Sequence, residues 1–203
     1  MTPYWLVAVA YLLGSIPFGL LIVKARGGPD LRSTGSGNIG AANVARNVGM
    51  LPGVLTLLLD AGKGYLAVWL VEHFVRGNIR WMMAAAVAAV IGHVFPAWLG
   101  FRGGKGVATG LGVFLPICPE AVAAAVIVWL IMVGFWRYSS LGSIVAAAAM
   151  PVLVYLFYAP GHAPSLYVSL GTILISLLII AKHSSNIARL IAGTETRIGP
   201  RGR

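Results

Sequence analysis

Acid is scarce in this sequence. Five of its 203 residues are Asp or Glu, and Asp30, Asp60, Glu72, Glu120 and Glu195 stand far apart. A two-metal carboxylate centre for phosphoryl transfer needs several acids gathered together, so that class has no support. The four histidines, at 73, 93, 162 and 183, show no metal-ligand spacing. Cys118 is the single cysteine, which excludes an intrachain disulfide and a Cys-based metal site. It stands between Pro116 and Pro119 in apolar sequence and reads as filler. No Gly-x-Ser-x-Gly elbow is present, so a serine hydrolase has no support either. Neither a metal nor a cofactor is expected.

Charge of any sign is also thin, at 10% of residues, while 59% are hydrophobic. A soluble domain carries roughly 25% charge and about 45–50% apolar residues. Mean hydropathy is +0.88, and a lipid solvent is implied. The formal net charge of +10 raises nucleic-acid binding as a possibility. The basic residues, however, fall in short gaps between apolar runs and near the C-terminus, where membrane topology alone calls for them. No nucleic-acid partner is expected. No Lys or Arg precedes the first apolar run, so a cleavable signal is not expected there.

Seven apolar segments are legible: 4–23, 51–72, 81–99, 107–117, 120–136, 141–159 and 165–181. Their short connections, with no linker and no internal repeat, predict an all-α integral membrane protein. The expected fold is one compact domain over residues 1–203, a bundle of seven transmembrane helices. Segment 107–117 is short for a span, since eleven residues make a helix of only about 16 Å against a core of roughly 30 Å. Parity argues that it crosses. Seven crossings bring Lys24, Arg26, Arg32, Arg46, Arg102, Lys105, Arg137, Lys182, Arg189, Arg197, Arg201 and Arg203 to one face, and only Arg76 and Arg80 to the other. The rich face is then cytoplasmic, with the N-terminus outside and the C-terminus inside.

Three loops on that face carry more than charge. In the first, Thr34 to Arg46, Gly35, Gly37 and Gly40 permit tight turns and close approach to a ligand. A helix from Ala41 would begin near Ser36 and Asn38, and a helix N-terminus suits an anion. Ser36 adds a hydroxyl and Arg46 a fork of donors. An ordinary Gly-rich turn has the same composition.

The second loop, Gly100-Phe101-Arg102-Gly103-Gly104-Lys105-Gly106, sets glycines around a lysine. It lacks the spacing of a Walker A loop, and a basic loop serving topology alone also fits. His93, slightly upstream, is as easily structural as functional. The third, Lys182 to Leu190, is expected to prolong the last span. His183 and Asn186 would share a face, next to a stripe of Lys182, Asn186 and Arg189. His beside an amide suits proton handling or oxyanion contact; an interfacial helix with snorkelling cations is the alternative.

Asp60 and Lys63 lie inside an apolar run at i, i+3 spacing. Charges at membrane depth mark a functional contact or a buried structural pair, and the spacing fits both. Ser140 and Ser143, opening the sixth segment beside Arg137, read as helix caps or as groups facing the same site.

These motifs resemble one family, the bacterial acyl-phosphate:glycerol-3-phosphate acyltransferases (PlsY). The resemblance runs in order along the chain. It rests on Gly35-Ser36-Gly37-Asn38-Ile39-Gly40-Ala41 with Asn43 and Arg46, then on Gly92-His93-Val94-Phe95-Pro96 with Gly100 to Thr109. Its third part is Lys182-His183 with Asn186, Arg189, Gly193, Glu195 and Arg197; Asp60, Lys63-Gly64 and Tyr138 to Ser143 add to it. The resemblance implies acyl transfer from acyl phosphate to the 1-hydroxyl of glycerol 3-phosphate. The products would be lysophosphatidic acid and phosphate, in the first step of phospholipid synthesis. It implies a multi-pass protein of the bacterial inner membrane with its site facing the cytoplasm. Coenzyme A and an obligate protein partner are not implied.

On this resemblance Ser36, Lys105, His183 and Asn186 are the expected catalytic residues. Gly35, Gly37, Asn38, Asn43, Arg46, Asp60, Lys63, Gly103, Gly104, Gly106 and Ser143 join them in substrate binding. Ser36, Gly37 and neighbouring N–H groups would hold the acyl-phosphate head. Lys105, Arg46 and Ser143 would hold glycerol 3-phosphate, and Asn186 the carbonyl oxygen or the attacking hydroxyl. Either His183 or the substrate's own phosphate would take the proton. The alternative class is a transporter for a phosphorylated anion. Transporter sites lie near the midplane, often between inverted repeats, whereas these loops gather at one face.

Overall fold

The structure, a computed structural model, describes residues 3–158, 161 and 163–199. His162, Arg201 and Arg203 lie outside the described residues, as does the last position of the expected 141–159 segment. Every regular element among the described residues is a helix. In chain order these are α1 (Tyr4–Gly14), α2 (Phe18–Ala25), α3 (Ala41–Val48), α4 (Met50–Phe74) and α5 (Ile79–Val94). A single 3-10 turn (Ala97–Leu99) precedes α6 (Val107–Phe114), α7 (Pro119–Trp136), α8 (Ser139–Phe157), α9 (Leu166–Ala181) and α10 (Ser184–Ile191).

Five stretches are long and apolar enough to cross a bilayer: Tyr4–Ala25 through its break, Met50–Phe74, Ile79–Leu99, Pro119–Trp136 and Ser139–Phe157. A sixth exists if α9 and α10, bent by 55°, are taken together. The bend corrects the expectation that 182–190 prolongs the last span: Lys182 ends α9, and His183 opens a separate helix. The stripe of Lys182, Asn186 and Arg189 is therefore not continuous. Helix α6 has eight residues, about 12 Å of rise, and does not span by its own length. Large apolar side chains such as Leu58, Ile127 and Phe135 are exposed, as a lipid-facing surface requires.

The chain divides into two compact units, 1–117 and 118–203. In the first, small residues let backbones approach closely. A Cβ on Gly14 would overlap the Ala89 carbonyl, one on Gly92 that of Tyr11, and one on Gly112 that of Ala61. These contacts tie α1 to α5 and α4 to α6.

The first apolar run is not one helix. It breaks at Ser15-Ile16-Pro17, where proline has no N–H to continue the ladder. Inside a membrane every carbonyl left at such a break must find a donor. Trp98 Nε1 donates to Ser15 O at 2.7 Å, and Lys63 Nζ to Ile16 O at 2.6 Å. In the second unit α7 packs on α8, where Gly142 lies against Trp129 and Val133.

Candidate active site

The first anion loop is built around one side chain. Asn43, in the first turn of α3, is 1% exposed. Its Oδ1 accepts from the Ser36 N–H at 3.0 Å and from Asn47 Nδ2 at 2.9 Å. Its Nδ2 donates to the carbonyls of Leu31, Thr34 and Asn38 at 3.2, 3.1 and 2.8 Å. Every polar hydrogen of this amide therefore faces backbone of the loop it organises. Gly35 has φ +58, and a Cβ there would overlap Asn43 Oδ1. Both its conformation and its closeness to Asn43 require glycine.

The expected backbone cradle is partly closed. The Ser36 N–H is bound to Asn43, and the Gly37 N–H donates to Thr34 O at 3.0 Å. Gly40 N–H donates to Asn38 Oδ1 at 2.8 Å. Ser36 is exposed, as is Arg46 in the last turn of α3. What the loop presents is the Ser36 hydroxyl and the first turn of α3, not the Ser36 and Gly37 amides. The acid just ahead of the loop is neutralised. Asp30 accepts from the Arg32 side chain and backbone, with Nη2 to Oδ2 at 2.7 Å. These hydrogen bonds hold its carboxyl down at about 2.

The second loop leans on the end of α5. Gly103 N–H donates to Val94 O at 3.1 Å and Gly104 N–H to His93 O at 3.0 Å. A Cβ on Gly103 would overlap the His93 carbonyl, and one on Gly104 the His93 ring at Nε2. Packing against His93 thus explains both glycines. Gly106, at φ +86, starts α6. Lys105 is half-buried beside it.

Asp60 and Lys63 form the ion pair that their spacing allows, with Nζ 2.8 Å from Oδ1 and both side chains under 5% exposed. His93 Nδ1 stands 3.6 Å from the same carboxylate oxygen. Lys63 also faces the Phe18 ring at 5.7 Å. The polar partners of this pair are protein groups.

In the second unit, His183 and Asn186 are both buried, at 3% and 4% exposure. His183 Nδ1 lies 2.8 Å from Ile179 O. A carbonyl only accepts, so Nδ1 carries a proton, which makes Nε2 the acceptor nitrogen whenever the ring is neutral. Asn186 Nδ2 donates to Glu195 Oε1 at 2.7 Å. Ser140 Oγ donates to the same oxygen at 2.7 Å, and Arg189 Nε to Oε2 at 2.7 Å. Burial raises the pKa of the Glu195 carboxyl, but the hydrogen bonds from Ser140, Asn186 and Arg189, with the arginine's charge, together hold it below its ordinary value.

Neither serine at the start of α8 caps it. Tyr138 is the N-cap position, Ser140 serves Glu195, and Ser143 Oγ donates to Ser139 O at 2.9 Å. The tail beyond α10 is fastened to the α7–α8 turn. Ile198 N–H donates to Arg137 O at 2.7 Å, and Arg137 Nε to Ile198 O at 2.9 Å. Arg197 stacks over Tyr138 at 5.4 Å. Glu195 as the partner of Asn186 was absent from the expected site. Its sequence signals are its place in the third motif and its standing as the only acid in a cationic tail.

Of the expected residues, the structure gathers Gly35, Ser36, Gly37, Asn38, Asn43 and Arg46 on and around one loop. Gly103, Gly104, Lys105 and Gly106 form another against His93. Asp60 and Lys63 lie together between helices of the same unit. His183 and Asn186 share the start of α10, while Ser143 sits in α8.

Comparison with known proteins follows the same lines. The model of the family described as glycerol-3-phosphate acyltransferase matches residues 4–193. The glycerol-3-phosphate acyltransferase of Gluconobacter oxydans is 52% identical over 192 residues, covering 94% of this chain and 90% of the relative. That of Trichlorobacter lovleyi is 52% identical over 195 residues, covering 96% of each. The crystal structure of PlsY (YgiH), an integral membrane glycerol 3-phosphate acyltransferase, in its glycerol 3-phosphate form has a TM-score of 0.90 to this chain. Identity is 39%, with 98% of this chain and 96% of that one covered. Its lysophosphatidic acid form gives 0.87 at 38% identity. With a family model matching residues 4–193 and relatives 52% identical over nearly the whole chain, the chain belongs to the glycerol-3-phosphate acyltransferase family.

Proposed function

We propose that this enzyme moves a fatty acyl group from acyl phosphate to the 1-hydroxyl of sn-glycerol 3-phosphate, giving lysophosphatidic acid and inorganic phosphate. The observation that carries the reading is the pair of ordered glycine loops. One presents the Ser36 hydroxyl and Arg46, the other Lys105; neither contains an acid, and Asp30, just ahead of the first, is already paired with Arg32. Such loops suit two phosphate-bearing substrates. The relatives are named for the acceptor, and one is solved with glycerol 3-phosphate and in a lysophosphatidic acid form.

Acyl phosphate is a mixed anhydride with a good leaving group. The protein needs mainly to orient two anions and steady an oxyanion. The 1-hydroxyl oxygen attacks the acyl carbonyl carbon, the carbonyl oxygen takes the negative charge, and the C–O bond to phosphorus then breaks. Ser36 and the start of α3 hold the donor's phosphate. Lys105, Arg46 and Ser143 hold that of the acceptor. Asn186, oriented by Glu195, contacts the carbonyl oxygen or the attacking hydroxyl. The hydroxyl proton goes to His183 Nε2 or to the substrate phosphate. Proton placement on Nδ1 supports the first route, and the shortage of other bases makes the second chemically reasonable.

The site faces the cytoplasm of a bacterial inner membrane, with seven crossings and the N-terminus outside. This arrangement needs the chain from α6 to 118 to cross, close against α4. The transporter alternative has less support, since the donor-rich loops belong to ordered turns at helix ends and no inverted repeat accompanies them.

The deciding assay uses purified protein, palmitoyl phosphate and glycerol 3-phosphate without added metal, with released phosphate measured. Absence of release refutes the reading. Ser36→Ala or Lys105→Ala should lower kcat/KM by about tenfold or more, ~1.4 kcal/mol. Normal kinetics in both would remove their phosphate contacts. His183→Ala with near-normal kcat assigns the proton to the substrate phosphate.

A further inference from the structure

The Asp60–Lys63–His93 cluster is buried charge that no step above uses. Asp60, Lys63 and His93 are 3%, 5% and 5% exposed, too enclosed to meet a soluble acceptor directly. Two of its atoms, Asp60 Oδ1 and His93 Nδ1, make no well-aligned hydrogen bond. Ionisable groups held at membrane depth in this state are costly, and they persist where something depends on them.

What touches the cluster supplies the reason. On one side Lys63 donates to Ile16 O, at the break from which α2 starts. Helix α2 then underlies the first loop. Gly19 lies so close to Ile39 that a Cβ would overlap its carbonyl oxygen. Val23 shares a small core with Leu31 and Val44, joined by Leu20 and Val48. The floor of the Ser36 loop is therefore α2, and the angle at which α2 leaves the break is pinned by Lys63. On the other side the His93 ring, 3.6 Å from Asp60, is the surface on which Gly104 rests. Lys105 is the next residue. One acid thus stands between a lysine that fixes the base of one loop and a histidine that fixes the base of the other.

We propose that Asp60, Lys63 and His93 form a positioning network that sets the register of both anion loops, Lys63 through α2 and His93 through Gly104. They act through the loops and not on substrate. The inference rests on the reading of those loops as the acyl-phosphate and glycerol 3-phosphate sites.

The test is a KM split in the full-length purified enzyme, with palmitoyl phosphate and glycerol 3-phosphate varied separately. His93→Ala should raise KM for glycerol 3-phosphate about tenfold and leave that for palmitoyl phosphate within about threefold. The neutral pair Asp60→Asn with Lys63→Met avoids a lone buried charge. Released from Ile16, it should raise KM for palmitoyl phosphate by about fivefold. His93→Gln refills the space at Gly104 but gives up the ring that faces Asp60, so its KM for glycerol 3-phosphate should rise only about threefold.

A purely structural role lowers the yield of folded enzyme and its Vmax while the surviving enzyme keeps wild-type KM values. Wild-type KM values in the His93 variants that fold would overturn the proposal, and His93→Gln carries the test if His93→Ala does not fold. Lys105→Ala is the reference. If it raises the acceptor KM while the His93 variants do not, the network fails and the loop assignment stands. If Lys105→Ala leaves the acceptor KM unchanged, the loop assignment itself has failed and the network falls with it.

Discussion

Asn43→Ala should cripple the enzyme without unfolding it. The substitution removes an acceptor from the Ser36 N–H and a donor from the carbonyls of Leu31, Thr34 and Asn38. The fifth bond, to Asn47, matters less because that side chain is exposed and can turn to water. A neutral hydrogen bond contributes about 1 kcal/mol net. Nδ2 shares two hydrogens among its three carbonyls, so with the Ser36 bond about three full bonds hold the loop by roughly 3 kcal/mol, part of which water recovers where the loop is exposed. With about 2.7 kcal/mol lost from a transition state that needs the loop ordered, kcat/KM falls by about a hundredfold.

The spans do not depend on these bonds, so the thermal unfolding midpoint in detergent should move little. Asn43→Asp sharpens the test. It keeps an acceptor for Ser36 but turns a carboxylate oxygen toward three carbonyls, so it should be no better than alanine. Phosphate-release kinetics on both variants supply the measurement. A folded Asn43→Ala enzyme within about threefold of wild-type kcat/KM would refute the loop's dependence on this amide.

Two further outcomes follow from the geometry. Gly104→Ala puts a methyl group into the His93 ring; the loop must shift, and overpacking of this kind destabilises by about 1–3 kcal/mol. Its signature should be a higher KM for glycerol 3-phosphate together with a lower unfolding midpoint. Glu195 has a lowered pKa in the fold, so it binds its proton less readily when folded than when unfolded. Its stabilising effect is fully present above the ordinary glutamate range and is lost as pH falls through and below that range. Asp30 titrates in the same direction, so the Glu195 share is isolated by comparing unfolding midpoints of wild type and Glu195→Gln from about pH 7 to about pH 3. The two curves should converge at the acid end, and parallel curves would exclude this role for Glu195.

The apolar runs made most of the helices legible, because lipid forces both length and composition on a span. The misreadings fall where a local device interrupts a run. Pro17 lies inside an unbroken apolar stretch, so hydropathy alone hid the division of 4–23 into α1 and α2. The 55° bend after Ala181 has no Gly or Pro to announce it. For the candidate site, residue types singled out loops that the structure shows to be ordered turns, and the packing gives some of their members a local reason of its own. Gly103 and Gly104 looked like a phosphate cradle, yet each is needed for lack of room against His93. Asn43 looked like a ligand, but its partners come from Leu31 to Asn38 and exist only once the loop has folded back. Glu195 gave no hint of Ser140, which lies 55 residues away. Sequence order carries spacing along one helix well, and contacts across a fold poorly.

The break at Ser15–Pro17 has a consequence for how the protein is made. The donors that its carbonyls use belong to Lys63 and Trp98, 47 and 83 residues downstream. On the ribosome, the first span therefore emerges well before either donor exists. Until α4 and the turn at 97–99 have been synthesised, those two carbonyls must be served by water or by the insertion machinery. The N-terminal segment enters the membrane as a span with an unfinished break, whose final geometry is set by residues translated later.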